Sequence, residues 1–189
     1  PLADAETALT DGAQLVHDHL GRNVAAFLHT KKGDGAAAMG ACPHRLNRRF
    51  VHHRYAAMPM ETRGVVAQYD RRTDTLTVWS STQVVHWVRR EISTALDMPE
   101  ERIRVIAPDV GGGFGGKGHV YPEDILIAWL AKMLDRPVKW VEDRHEHILN
   151  AAHSRDNIYD VEIGFDDDGR ILAVTSSFLV DSGAYTPVG

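Results

Sequence analysis

The stretch Gly111-Gly112-Gly113-Phe114-Gly115-Gly116-Lys117-Gly118 joins an extended apolar run, Arg102 to Ala107, to a helical pattern running from Pro122 to Leu134. Five of its first six residues are glycine, and the exception is aromatic. Glycine accepts positive φ and lets other groups approach the backbone, but it costs more entropy to order than any other residue. Such a cost placed between a strand and a helix commonly serves to bring backbone N–H groups up to a ligand, often an anion. The plain alternative is a flexible surface loop.

Outward from the loop, the patterning gives alternating element types. Val84 to Leu96 has helical apolar spacing, with Ser81 or Thr82 as a capping residue and Pro99 beyond its end. Leu76 to Ser80 and Arg102 to Ala107 flank that helix, so residues 75–107 are expected to form strand, helix and strand. Val65 to Tyr69 pairs with Leu76 to Ser80 across Asp70-Arg71-Arg72-Thr73-Asp74, a polar hairpin loop. Pro122 suits the first turn of the next helix, whose expected apolar face is Ile125, Leu126, Trp129, Leu130, Met133 and Leu134. Pro137 stops it, and Val138 to Val141 is a short strand. Asn157 to Phe165 and Ile171 to Val180 flank the turn signal Asp166-Asp167-Asp168-Gly169-Arg170. Arg48 to Tyr55 is strand-like.

Residues 1–46 are the least regular, with one short helix expected around Ala36 to Met39, and are read as a connector leading into a domain at 47–189. The fold class expected is α+β (mixed α/β), with helices packed on mixed, partly antiparallel sheets. Pro1 at the start and Gly189 just after a strand suggest an internal piece of a longer polypeptide, incomplete at its C-terminal end.

Composition narrows the classes of function. With 43% hydrophobic and 25% charged residues the chain has the make-up of a globular protein. A net charge of -5 gives no reason to expect nucleic acid as a partner. No apolar run approaches the ~18 residues of a membrane span. The single cysteine, Cys42, excludes an internal disulfide and any iron–sulfur cluster built from these residues alone.

Three ligands compete for the glycine loop. Gly111-x-Gly113-x-x-Gly116 fits the dinucleotide fingerprint, but the acidic residue after the next strand, Asp143, comes ~27 residues later, beyond the usual spacing. Gly111 to Lys117 is one residue short of a phosphate-binding P-loop, and Gly118 stands where that motif needs a Ser or Thr hydroxyl. A nucleotide-binding module using the Gly111–Lys117 loop therefore remains one reading. Neither fit accounts for Phe114.

The third reading comes from a resemblance. Ser80-Ser81-Thr82-Gln83, followed after a helix and strand by the loop, is similar to the molybdenum-binding large subunit of the xanthine dehydrogenase/aldehyde oxidase family. Pro59-Met60-Glu61-x-Arg63-Gly64 resembles that family's lead-in. Pro137 to Arg144 resembles its stretch after the loop helix, and Asp181-Ser182-Gly183-Ala184-Tyr185 a later strand. The details are nearest to the carbon monoxide dehydrogenase-like branch, and the likeness runs from Met58 to Gly189.

The resemblance implies the first molybdenum cofactor-binding domain of an oxidoreductase that oxidises carbon monoxide, an aldehyde or a heterocycle with water as the oxygen source. It implies molybdopterin, in its cytosine dinucleotide form, with molybdenum, and in the carbon monoxide branch a copper ion. Gln83 is implied to donate its amide to an oxygen ligand of molybdenum, and Phe114 to lie beside the metal. Gly112, Gly113 and Gly115 would bring backbone amides close to the cofactor. The family's glutamate base and substrate loop lie downstream of Gly189, so no catalytic residue is expected here. Implied partners are an iron–sulfur small subunit and an FAD medium subunit, in a dimer of heterotrimers that takes a small-molecule substrate. Its implied location is the cytoplasm, with any membrane attachment through the complex. Purine-oxidising members carry glutamate where this chain has Gly118, which argues against a xanthine-type substrate.

Other candidates read as structural. His145-Glu146-His147 lacks the spacing that puts two imidazoles on one helix face, and is expected to end a polar loop. Asp166, Asp167 and Asp168 lack the later glutamate of a calcium loop. Trp79, Trp87, Trp129 and Trp140 are expected to pack in the core, and Glu142, Asp143 and Arg144 to form a surface or interdomain ion-pair cluster.

Overall fold

The computed structural model describes residues 4–185. In chain order its elements are α1 (Ala5–Ala8), α2 (Gly35–Ala41), β1 (His44–Ala56), β2 (Gly64–Asp70) and β3 (Thr75–Ser80), then α3 (Val85–Leu96), β4 (Ile103–Ile106), α4 (Pro122–Leu134), β5 (Val138–Val141), α5 (Arg144–Asn150), β6 (His153–Phe165) and β7 (Ile171–Val180). They fall into two compact units, residues 56–154 and residues 4–55 with 155–185. The architecture is α+β, as expected.

In the 56–154 unit a four-stranded sheet runs in the order β4-β3-β2-β5. β2 and β3 form the antiparallel hairpin, in register from Val65 opposite Ser80 to Asp70 opposite Thr75. Its turn holds because Asp70 Oδ1 accepts the Arg72 N–H at 2.9 Å and Asp74 takes positive φ, 52°. Chain direction is restored through α3, since β4 lies parallel to β3. Period-two alternation puts Val65, Ala67, Leu76 and Val78 inward, where they meet Val88 and Ile92 of α3 and Ile127, Ala128 and Ala131 of α4. Thr82 does not cap α3. Its hydroxyl accepts the Val84 N–H at 3.1 Å, and Val84 itself is the cap residue.

The expected apolar face of α4 is corrected. Leu126, Trp129, Met133 and Leu134 are exposed, whereas Asp124, Ile127, Ala128 and Ala131 are buried. Alanines let the helix axis come close to the sheet, and the larger side chains are then left on the outer side. Trp87 and Trp129 are likewise not core residues, each 44% exposed.

In the other unit a three-stranded sheet runs in the order β1-β6-β7. β6 and β7 are antiparallel, joined where Asp166 Oδ1 accepts the Asp168 and Arg170 N–H groups at 3.1 and 2.8 Å. The aspartate run is thus a hairpin turn. α2 lies over β7 with Met39, Cys42 and Ala173 buried. A Cβ at Gly164 would lie 2.4 Å from Cys42 Sγ, so glycine is what admits the helix there. Among the described residues no helix is long and apolar enough to cross a membrane.

Candidate functional site

The glycine loop leaves β4, turns over the end of the sheet and returns to α4. Gly112, Phe114 and Gly115 have φ of 95°, 50° and 87°. Phe114, a bulky residue in the left-handed region, is held there at a conformational cost. The residue is 79% exposed. A Cβ at Gly113 would stand 2.4 Å from Gln83 Oε1, and one at Gly116 would stand 2.9 Å from the Cβ of Ala57. Among the described residues the N–H groups of Gly113, Phe114 and Gly115 make no hydrogen bond. Three consecutive free donors beside a fixed, exposed ring are what a ligand carrying oxygen or sulfur acceptors requires.

Gln83 lies across this loop. Its backbone N–H donates to Lys117 O at 2.9 Å, and its Oε1 accepts the Lys117 N–H at 3.2 Å. The carboxamide is therefore tied down through its oxygen. Its Nε2 has no partner among the described residues and belongs to an exposed side chain, so it is free to donate outward. Gln83, Gly112, Gly113, Phe114 and Gly115, all singled out from sequence, meet in this one place.

Lys117 does not behave as a P-loop lysine. It is 2% exposed, and its Nζ donates to Glu61 Oε2 at 2.6 Å, which leaves it unable to reach a phosphate in solvent. A dinucleotide arrangement also fails. β5 pairs antiparallel with β2 at the edge of the sheet farthest from β4, and Asp143 caps α5 by accepting the Glu146 N–H at 2.8 Å. Gly118 fits its place as glycine, because a Cβ there would sit 3.0 Å from Gly115 O.

Sequence reasoning missed the groups beneath the loop. Arg63 is 5% exposed and Glu142 2%. Arg63 Nε and Nη2 donate to Glu142 Oε1 at 3.0 and 2.6 Å, its backbone N–H donates to Oε2 at 3.0 Å, and Nη1 reaches Glu123 at 3.0 Å. The guanidinium lies 3.7 Å from the centre of the Tyr121 ring, and Tyr121 Oη donates to Gly116 O at 2.5 Å. This stacking connects the ion pair to the loop backbone. Glu142 is therefore no surface group, because two guanidinium N–H groups on one oxygen and a backbone N–H on the other compensate the loss of water. His147, expected at a loop end, is instead buried in α5. Its Nδ1 lies 2.8 Å from Glu142 Oε2 and its Nε2 lies 2.7 Å from Ala57 O, both within hydrogen-bond reach. His145 shares no ligand with it, and among the described residues no three His, Cys, Asp or Glu side chains converge as a metal site.

Burial acts to raise the Glu142 carboxyl, but the hydrogen bonds from Arg63 and His147 outweigh it and hold the group below its ordinary 4.5. Asp124, which accepts from Ser80 Oγ at 2.7 Å, is pushed the other way by burial, above 3.8. The signs follow from linkage. A depressed carboxylate stabilises the fold fully above 4.5 and loses that contribution as pH falls through its folded value. Asp124, conversely, adds stability as it takes up a proton. The stability difference between wild type and Glu142→Gln is thus expected to be largest at neutral pH and to shrink steadily below 4.5, as read from denaturation midpoints against pH.

The chain matches the family described as the molybdopterin cofactor-binding domain over residues 16–189. It is 42% identical over 153 residues to the nicotine 6-hydroxylase large subunit of Paenarthrobacter nicotinovorans, covering 81% of this chain and 19% of that protein. It is 36% identical over 156 residues to the carbon monoxide dehydrogenase large chain of Hydrogenophaga pseudoflava, again 81% and 19%. The crystal structure of quinoline 2-oxidoreductase from Pseudomonas putida 86 superposes on all of the chain and 24% of its own, with a TM-score of 0.89 and 38% identity. The chain therefore spans about a fifth of the length of the curated relatives it matches.

Proposed function

Since the chain belongs to the family of molybdopterin cofactor-binding domains, we propose that Gln83 and the Gly112–Gly115 loop hold a molybdopterin cofactor in the catalytic large subunit of a molybdenum hydroxylase. The observation that carries this is the paired fixing of Gln83 and Gly113. The amide oxygen is held by the Lys117 N–H, and the missing Cβ of Gly113 makes the space beside it. The residues suit the group. Neutral amide and backbone donors can face its acceptors without a cation competing with the metal for them, and the ammonium of Lys117 is turned away into its pair with Glu61. When bound, the cofactor would supply two-electron oxidation of its substrate with water as the oxygen source. This chain's share is to position the cofactor, and the exposed Phe114 would offer it an apolar side.

The fuller reading takes the cofactor in its cytosine dinucleotide form, with iron–sulfur and FAD subunits as electron-carrying partners. The substrate is a small molecule: a heterocycle, carbon monoxide or an aldehyde. A nitrogen heterocycle is the first to assay, because relatives of this chain are named for nicotine and quinoline. For carbon monoxide, the proposal adds a copper ion beside the molybdenum.

Gln83→Ala and Phe114→Ala in the complete polypeptide test the assignment. Each is expected to lower molybdenum per polypeptide and activity by about 10–100-fold, the usual effect of removing a group that orients a metal ligand. Full molybdenum content and activity in both variants would place the cofactor elsewhere. A nucleotide site on the same loop would instead show as stabilisation by ATP or NAD, about 2.7 kcal/mol at a hundred times Kd. None is expected.

A further inference from the structure

Glu61 makes no contact with the cofactor in the reading above, yet it touches both ends of the loop. Its N–H donates to Gly111 O at 3.2 Å, and its Oε2 accepts both the Gly111 N–H at 2.8 Å and Lys117 Nζ at 2.6 Å. The approach is close enough that a Cβ on Gly111 would lie 2.6 Å from the Cβ of Glu61. Lys117, so anchored, offers its N–H and C=O to Gln83. Thr82 Oγ1 also donates to Lys117 O, at 3.3 Å.

A run of glycines loses more freedom on ordering than other sequences, so without constraints at its ends it would sample many shapes. Binding a ligand would then have to supply the ordering cost, and affinity would fall. Here one carboxylate oxygen supplies the constraint at both ends. Burial acts to raise the Glu61 carboxyl, but the hydrogen bonds from Lys117 and Gly111 outweigh it and hold the group below its ordinary value.

We propose that Glu61 is a positioning residue: its carboxylate ties Gly111 to Lys117, closes the 111–117 loop and, through Lys117, aims the Gln83 amide at the cofactor. The inference rests on the cofactor reading of that loop. A simpler role would be to neutralise the buried Lys117 charge, and a double variant separates the two.

The test is hydrogen exchange of residues 111–118 together with molybdenum content. Both are measured in the complete complex, before and after cofactor release, for wild type, Glu61→Gln and Glu61→Gln with Lys117→Met. In Glu61→Gln the loop is expected to exchange about tenfold faster while α3 is unchanged, which marks a local opening and not a global one. Molybdenum content is expected to fall by about tenfold. The double variant leaves no unpaired buried charge and should regain wild-type thermal stability, yet keep the fast-exchanging loop and the low molybdenum content. Unchanged loop exchange in Glu61→Gln overturns the proposal. So does a double variant that restores both loop protection and molybdenum, since Glu61 would then only neutralise Lys117. If the wild-type loop exchanges equally with and without cofactor, the cofactor reading fails, and the inference fails with it.

Discussion

Alanine at position 113 is expected to cut molybdenum retention by about 10–100-fold while leaving the fold nearly as stable as before. The added Cβ would lie 2.4 Å from Oε1 and 2.7 Å from Cδ of Gln83, closer than a Cβ atom comes to any atom it is not bonded through. What must move is the end of a flexible side chain, so the folded state loses little. Gln83, however, gives up the Lys117 N–H that orients it. A methyl group would thus reach the cofactor indirectly, through the amide it displaces. Metal analysis and a thermal melt on the same sample check both halves. Gly113→Ala combined with Gln83→Ala should be no worse than Gln83→Ala alone, because the clash partner is gone, and such non-additivity is the mark of direct coupling.

Replacing Arg63 by methionine is expected to produce the largest loss of stability, about 3–5 kcal/mol. Methionine restores the volume but leaves Glu142, with a side chain 0% exposed, no guanidinium, only the residue-63 backbone N–H and His147. It also removes the donor to Glu123 and the cation over the Tyr121 ring. Denaturant titration measures the cost. Glu142→Gln in the Arg63→Met background should recover part of it, because no buried charge is then left without a guanidinium. Since Tyr121 also holds Gly116 O, the arginine variant should loosen the glycine loop as well.

How much of this the sequence revealed depends on the range of the interaction. Hairpins at Asp70–Asp74 and Asp166–Arg170, and the helices α3 and α4, are written in periodicity and turn chemistry over a few residues, and they form where expected. The inward face of α4 is not, because Ala128 and Ala131 carry little hydrophobic signal beside Trp129 and Met133, yet only small residues let the helix approach the sheet. α5 was overlooked although its signal is present: Asp143 and Glu146 form a capping box, each side chain accepting the other's backbone N–H. Arg63 and Glu142 look like surface charges because their partnership spans 79 residues. Gln83 and Lys117, 34 residues apart, were each part of a recognisable motif, but the bond between them was invisible.

The most direct measurement is the position of the metal. Crystals of the complete, cofactor-loaded protein, with data collected across the molybdenum absorption edge, would give it as an anomalous difference peak. The expected result is a peak beside Gln83 and Phe114, in the space left open by Gly113. A peak remote from both side chains would contradict the assignment of the glycine loop as the cofactor's seat.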